Sequence, residues 1–115
     1  VSSESSAVSG VAGRYAAALF ELAEDHKKLD EIAADVATIR ALLVESPDLR
    51  RLVASPVIGR DAQGQALLAV LEKAGVSALT RNFAGVVARN RRLFALDSMC
   101  LGYRQLLAQA RGEMT

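Results

Sequence analysis

The sequence predicts an all-α protein in which six helices form one bundle. Its apolar residues recur at the three- and four-residue steps of a helix, and no segment shows the two-residue alternation of a strand. Only 4% of the 115 residues are aromatic, and tryptophan is absent. A core of Ala, Leu, Val and Ile side chains suits close helix packing, and a chain of this length forms one domain.

The first two predicted helices follow a short opening segment. Residues 1–10 are rich in serine and lack the apolar stretch of a signal peptide, so we expect a flexible lead-in. Residues 11–28 carry apolar side chains at helical spacing and form the first helix. Residues 31–45 form the second helix, and Asp30 is its expected N-cap.

A serine–proline pair marks each end of the short third helix. Ser46 is an expected N-cap, Pro47 suits the first helical position, and Asp48 adds an acidic side chain to the first turn. Ser55 and Pro56 end this helix, because the residue before a proline is disfavoured in the helical conformation.

The last three helices are separated by a glycine, a serine and a break in the apolar pattern. Residues 61–74 form the fourth helix, and Gly75 ends it. Ser77 is the expected N-cap of the fifth helix, which ends near Asn90. The sixth helix covers residues 93–111.

Residue types that carry out chemistry are sparse. His26 is the single histidine and Cys100 the single cysteine, so these types can build neither a metal cluster nor a disulfide. Cys100 lies among apolar residues and is expected in the core. Glu31 and Asp35 lie four residues apart, and we expect both on a solvated helix face. We predict no catalytic, cofactor-binding or metal-binding residues, and a protein that is not an enzyme.

Two helices carry more small and apolar surface than one core-facing stripe requires. On the first helix this surface spans about 200°, against about 100° for a one-sided helix. On the fifth helix, Ala78, Gly85 and Ala88 lie opposite the large apolar residues. This surface is either a second binding face or ordinary filler, and Phe20 is either an anchor for a partner or part of the core.

Charge is distributed unevenly along the chain. Residues 1–35 hold seven acids and three bases, whereas residues 73–115 hold seven bases and two acids. We expect these two regions to attract each other across the bundle. Arg89, Arg91 and Arg92 form a basic cluster that is expected to cap the end of the fifth helix. A small helical RNA-binding domain is the alternative interpretation.

Two stretches resemble the delta subunits of bacterial F-type ATP synthases and their mitochondrial relative, the oligomycin-sensitivity-conferring protein. In residues 11–23, an apolar and a small residue precede Tyr15-Ala16, and Leu-Phe and another alanine follow. Residues 82–93 resemble the fifth helix of the family and its Asn-Gly-Arg-Leu turn. Arg91 stands in place of the usual glycine of that turn.

The resemblance implies a stator adaptor that needs no cofactor. Residues 11–112 would be its six-helix N-terminal domain, without the C-terminal domain that contacts the b subunits of the peripheral stalk. In the family, a groove between the first and fifth helices receives the amphipathic N-terminal helix of an alpha subunit. The implied location is the cytoplasmic face of the bacterial inner membrane, with membrane association only through the complex and no nucleic-acid partner.

The resemblance also implies which residues line the groove, four on each of the two helices. They are Tyr15, Ala16, Leu19, Phe20, Asn82, Phe83, Val86 and Arg89. Several of these side chains must also pack inside the bundle, and the sequence does not assign their faces. Tyr15 and Val86 are the pair most strongly implied to face the partner.

Overall fold

A computed structural model describes residues 10–112, and within that range the chain is all-α. The predicted six-helix fold is confirmed. The helices are α1 (Gly10–Asp25), α2 (Leu29–Glu45), α3 (Pro47–Ala54), α4 (Arg60–Lys73), α5 (Ala78–Arg89) and α6 (Leu96–Ala110), and a 3-10 turn at Leu93–Ala95 precedes α6. Gly10 is the first residue of α1 rather than part of the predicted lead-in, of which residues 1–9 lie outside the described range.

Local signals set the ends of α3 and α4 as the sequence predicts. The Ser46 hydroxyl accepts a hydrogen bond from the Leu49 N–H at 3.0 Å, and Pro47 occupies the first turn of α3. This bond satisfies one of the unpaired amides at the helix start. Gly75 follows α4 with a φ of +86°, the left-handed conformation that ends many helices.

The connection between α1 and α2 differs from the prediction. α1 ends at Asp25 rather than near residue 28, because Lys27 adopts a left-handed φ of 57°. Lys28, not Asp30, occupies the N-cap position of α2, and its side chain makes no capping bond. Asp30 lies in the first turn instead, where a negative charge interacts favourably with the helix dipole.

α6 lies at the centre of the bundle, packed against α1 and α2. Met99 and Tyr103 of α6 are fully buried, and the Tyr103 hydroxyl donates a hydrogen bond to the Leu29 carbonyl at 2.7 Å. At the far end of α6, Arg111 forms an ion pair with Asp30 at 2.6 Å. This pair joins the basic and acidic regions of the chain, as their opposite charge predicts.

Cys100 is part of this core, as predicted, and its environment keeps the thiol protonated. Burial is the main reason that its pKa is raised from 9.0 to about 12, and the nearby Asp97 carboxylate adds to the rise. The other half of the bundle is built by α4 and α5, which pack directly against each other. α3 bridges the two halves through contacts with α2 and α4.

Candidate partner-binding groove between α1 and α5

α1 and α5 meet through a small contact of aromatic and amide side chains. The ring of Tyr15 stands edge-on to the ring of Phe83, with 6.3 Å between the ring centroids. The Asn90 side-chain amide, just past the end of α5, donates a hydrogen bond to the Tyr15 hydroxyl at 2.7 Å. Tyr15 is half-buried, so this contact borders solvent rather than lying wholly in the sealed core.

α5 presents a solvent-facing stripe beside this contact. Asn82, Val86 and Arg89 lie at successive four- and three-residue steps, so they share one face of the helix, and all three are exposed. Val86 exposes 41% of its surface, although it is a large apolar residue. It lies about 60° around the helix from buried Phe83. An apolar side chain therefore remains accessible next to the half-buried ring of Tyr15.

The four residues implied on α1 have three different environments. Tyr15 borders the groove, whereas Ala16 and Leu19 are fully buried in the core. Phe20 packs against Tyr103 of α6, with ring centroids 5.9 Å apart. Phe20 also lies about 140° around α1 from Tyr15, so the two side chains do not share a face. Ala16 and Leu19 can support the groove only from beneath.

Two of the three small residues of α5 do not belong to a free binding face, and the third, Ala78, is exposed. Gly85 and Ala88 are buried against α4, so the possibility that they belong to a second binding face is not realised. A Cβ atom placed on Gly64 of α4 would lie 3.1 Å from the Ala88 Cβ, which shows how closely the two helices approach. On α1, Gly13 and Ala16 are buried as well. Small residues here permit close packing within the domain.

Asp35 of α2 fixes the start of α5, a role that the sequence prediction missed. Its carboxylate accepts hydrogen bonds from the Ser77 N–H at 3.2 Å, the Ser77 hydroxyl at 2.5 Å and the Thr80 hydroxyl at 2.6 Å. The prediction that Asp35 lies on a solvated helix face is wrong, because its side chain is buried. Ser77 is the N-cap residue of α5, but its hydroxyl binds Asp35 instead of the helix amides.

A signal for this role was present in the sequence. Asp35 lies three residues after Ile32 and four before Ile39, both of which are buried. That spacing puts the carboxylate on the core-facing stripe of α2 rather than on its solvated face. A buried carboxylate requires hydrogen-bond donors, and the hydroxyls of Ser77 and Thr80 meet that need.

Arginine side chains hold the other end of α5. Arg60 donates a hydrogen bond to the Arg89 carbonyl at 3.0 Å, which caps the last turn. Arg91 adopts a left-handed φ of 57°, the conformation expected at a position where the family has glycine. Its guanidinium donates to the carbonyls of Ile58 at 2.9 Å and Pro56 at 3.2 Å. Within the basic cluster, Arg91 therefore binds the α3–α4 connection instead of capping α5 as predicted, and Arg92 donates to the Asn90 carbonyl at 3.4 Å.

Within residues 10–112, no three His, Cys, Asp or Glu side chains are grouped closely enough to hold a metal ion. In the same range, no helix is both long and apolar enough to cross a membrane. Beside the α1–α5 contact the structure presents a half-buried aromatic ring, an exposed apolar side chain and exposed polar side chains, a combination suited to recognition. Together the fold and this surface define a class of protein, a six-helix domain with one exposed apolar side chain beside the contact of two of its helices.

Comparison with known proteins identifies the family. The family model described as "ATP synthase delta (OSCP) subunit" matches residues 11–115. This match covers nearly the whole chain, and the protein belongs to the ATP synthase delta (OSCP) subunit family. The resemblance seen in the first and fifth helices is therefore confirmed.

Curated relatives named ATP synthase subunit delta match over most or all of the chain. The relative from Parvibaculum lavamentivorans is 58% identical over 108 residues, which are 94% of this chain and 56% of that protein. The relatives from Rhodospirillum rubrum and Rhodopseudomonas palustris (strain HaA2) are 53% and 51% identical over all 115 residues, or 62% of their own length. The chain thus spans about three fifths of the length of these relatives.

A solved structure shares the fold. A chain in the cryo-EM structure of the Polytomella F-ATP synthase, refined around the F1 head and rotor, superposes with a TM-score of 0.76 at 24% identity. The superposition covers 89% of this chain and 90% of that chain. The six-helix arrangement is therefore common to both proteins despite their distant sequences.

Proposed function

We propose that this domain is a stator adaptor of an F-type ATP synthase and that its α1–α5 groove binds the amphipathic N-terminal helix of an alpha subunit. Membership of the delta (OSCP) family supports the assignment to this complex. The observation that carries the groove itself is the exposure of Val86 beside the Tyr15–Phe83 contact. An apolar side chain in that position is stabilised when a partner covers it.

The partner helix would lie along α5 and use its apolar face as the anchor. Val86 would meet that face, and the half-buried ring of Tyr15 would form the base of the contact. Asn82 and Arg89 flank Val86 one turn away on either side, where their polar groups can bond to the edges of the partner. Such an arrangement is helix-in-groove recognition, in which apolar anchors supply affinity and the polar rim supplies register.

The mechanical role follows from binding two structures at once. By holding an alpha subunit, the domain would keep the catalytic head from rotating with the rotor, so that proton flow is converted into ATP synthesis. The b subunits of the peripheral stalk would bind parts of the delta subunit outside this chain. The domain itself would perform no chemistry, and it would lie peripherally at the cytoplasmic face of the bacterial inner membrane as part of the complex.

A peptide titration tests the groove directly. The domain would be titrated with a peptide covering the N-terminal helix of the cognate alpha subunit while backbone NMR shifts are followed. We expect saturable shifts concentrated around Tyr15 and over residues 82–90. Val86→Asp should weaken binding at least tenfold, because the partner would bury an unpaired charge.

Val70→Asp is the matched control. Val70 is an equally apolar residue with a similar exposure of 37%, but it lies on α4. Val70→Asp should leave the affinity of the domain for the alpha-subunit peptide unchanged. Equal affinities of the folded Val86→Asp and wild-type domains for the peptide would show that Val86 is not part of the site. If the peptide caused no NMR shifts at all, the proposed groove would be wrong. RNA binding is the remaining interpretation in that case, and a steep fall in affinity with salt would reveal it.

A further inference from the structure

A second apolar depression lies outside the α1–α5 groove, around Phe94. Phe94 belongs to the 3-10 turn before α6 and is 67% exposed, and Val44 at the end of α2 is 73% exposed. A cavity of about 440 Å³ lies between them, and an adjoining cavity of about 270 Å³ shares Val53, Ala54, Leu93 and Phe94. We call this concave area, centred on Val44, Val53, Leu93, Phe94, Arg50 and Arg91, the Phe94 surface.

The rim of the Phe94 surface is positively charged. Arg40, Arg50 and Arg91 line its two cavities, and Asp97 is the one carboxylate among the described residues that line them. Asp97 is already paired with Arg40 at 2.9 Å. Two guanidinium groups therefore remain without a carboxylate partner around an accessible apolar centre.

The two remaining guanidinium groups are held in place but not neutralised. Arg50 donates to the carbonyls of Leu43 at 2.6 Å and Val44 at 2.8 Å, so it caps the end of α2. Arg91 donates to carbonyls of the α3–α4 connection. Within residues 10–112, neither guanidinium has a carboxylate within ion-pair distance. Fixed cations of this kind are ready to meet an anionic partner without reorganisation.

We propose that the Phe94 surface docks an acidic segment from a different subunit of the ATP synthase, which covers Phe94 with a large apolar side chain. The apolar floor supplies the area to be buried, and the arginine rim selects negative charge at the edge. Aromatic side chains, phenylalanine among them, are enriched in the buried core of protein interfaces.

A second copy of this chain is a poor occupant on electrostatic grounds. A two-fold contact places the same patch of both copies face to face, so the two arginine rims would repel each other. The residues that directly follow α6 are also poor occupants, because they begin at the end of α6 that is far from Phe94. Phe94 lies just before α6. The helix has 15 residues, so its last residue, Ala110, lies about 22 Å from its start.

This surface is separate from the proposed groove and does not depend on it. The groove side chains Tyr15 and Val86 belong to α1 and α5, whereas the Phe94 surface is built by α2, α3, the 3-10 turn, the start of α6 and Arg91 from the connection after α5. The two sites can therefore be tested in the same complex with different variants.

Photo-cross-linking in the assembled ATP synthase identifies the occupant. Full-length delta subunit would carry benzoylphenylalanine at position 94, and the adducts would be mapped by mass spectrometry. We expect one predominant adduct, to a segment of another subunit that combines acidic residues with a large apolar one. An adduct to a second delta chain, an adduct to a segment without acidic residues, or no adduct to another subunit would each overturn the proposal.

Two variant pairs then test the energetics through the dissociation rate of delta from the assembled complex. Phe94→Ala should raise this rate about tenfold, whereas Val57→Ala should not, since Val57 is 87% exposed and lines neither cavity. Arg50→Gln keeps a donor for the α2 carbonyls but loses the charge, so it should raise the rate and weaken its salt dependence. Arg51→Gln is its control, because Arg51 pairs with Asp48 away from the surface.

Each comparison has a result that contradicts the proposal. Equal dissociation rates for Phe94→Ala and Val57→Ala would show that Phe94 is not an apolar anchor for a partner. Equal rates for Arg50→Gln and Arg51→Gln would show that the Arg50 charge does not contribute to binding. Neither pair should change the affinity for the alpha-subunit peptide, so failure here stays distinguishable from failure of the groove.

Discussion

α1 makes two contrasting interfaces, one with α6 and one with α5. Against α6, α1 packs over an extensive contact, and the small residues Gly13, Ala16 and Ala23 of α1 are buried. Against α5, the described contact is the Tyr15 ring with Phe83 and the hydrogen bond from Asn90. The first interface excludes solvent, whereas the second leaves apolar surface accessible beside it.

The difference shows how one helix can serve both stability and recognition. Close packing of small residues maximises contact area inside the domain, so nothing remains for a partner on that side. A contact made by a few long side chains leaves the flanks of both helices open, and a third helix can then complete the packing. Changes to the closed interface should therefore alter folding first, and changes to the open interface should alter binding first.

The largest effect on stability is expected from Leu19→Ala on the buried side of α1. Leu19 is 1% exposed, so its truncation leaves a cavity and should lower the free energy of unfolding by about 3 kcal/mol. Urea unfolding of the domain measures this change. Leu22→Ala is the control on the same helix, and its cost should be clearly smaller because Leu22 is only partly buried. Equal costs would contradict the division of α1 into a closed and an open side.

Asp35→Asn should have an intermediate effect, because it acts on the placement of α5. The amide cannot accept all three hydrogen bonds from Ser77 and Thr80 as a carboxylate does, so the loss should be about 2 kcal/mol. Binding of the alpha-subunit peptide should weaken as well, since α5 carries Val86.

Glu31→Gln provides the matched control for Asp35→Asn. Glu31 lies one turn earlier on α2 and is exposed, in a surface ion pair with Lys28. Its removal should change stability by less than about 1 kcal/mol and leave peptide affinity unchanged. Stability loss in Asp35→Asn without any change in peptide affinity would show that Asp35 supports the fold but not the groove.

Tyr15→Phe should have the smallest effect on folding and test the open interface itself. It removes the hydroxyl that accepts the bond from Asn90 but keeps the ring against Phe83, so stability should fall by about 1 kcal/mol or less. Peptide affinity should change more than stability does. A double-mutant cycle with Asn90→Ala isolates the bond, and additive effects in that cycle would mean that it contributes nothing.

Helix order and many helix ends were predictable because their causes are local. Ser46 caps α3 and Gly75 ends α4 through bonds and backbone angles set by near neighbours in sequence. The faces of α5 were harder. Periodicity gives the direction of a side chain on its own helix but not which helix lies opposite, so the burial of Gly85 and Ala88 against α4 could not be derived.

The residues predicted to line the groove also divide into those that could be predicted and those that could not. Val86 and Tyr15 were singled out by resemblance, and both do border solvent, while Ala16 and Leu19 are core residues. Asp35 was missed because the sequence was interpreted as a pair of carboxylates and not as a polar break in an apolar stripe. The Phe94 surface depends on four elements brought together by the tertiary fold, which no local pattern describes.

The state of Cys100 has a practical consequence for anyone who wishes to follow this domain spectroscopically. Burial raises the pKa of the Cys100 thiol to about 12, so the thiol stays protonated at pH 8, and the side chain is buried as well. The Cys100 thiol should therefore react very little with maleimide dyes and thiol-specific spin labels. A reporter cysteine introduced at position 86 or 94 can be modified selectively while Cys100 stays in place, so the core need not be altered to observe either surface.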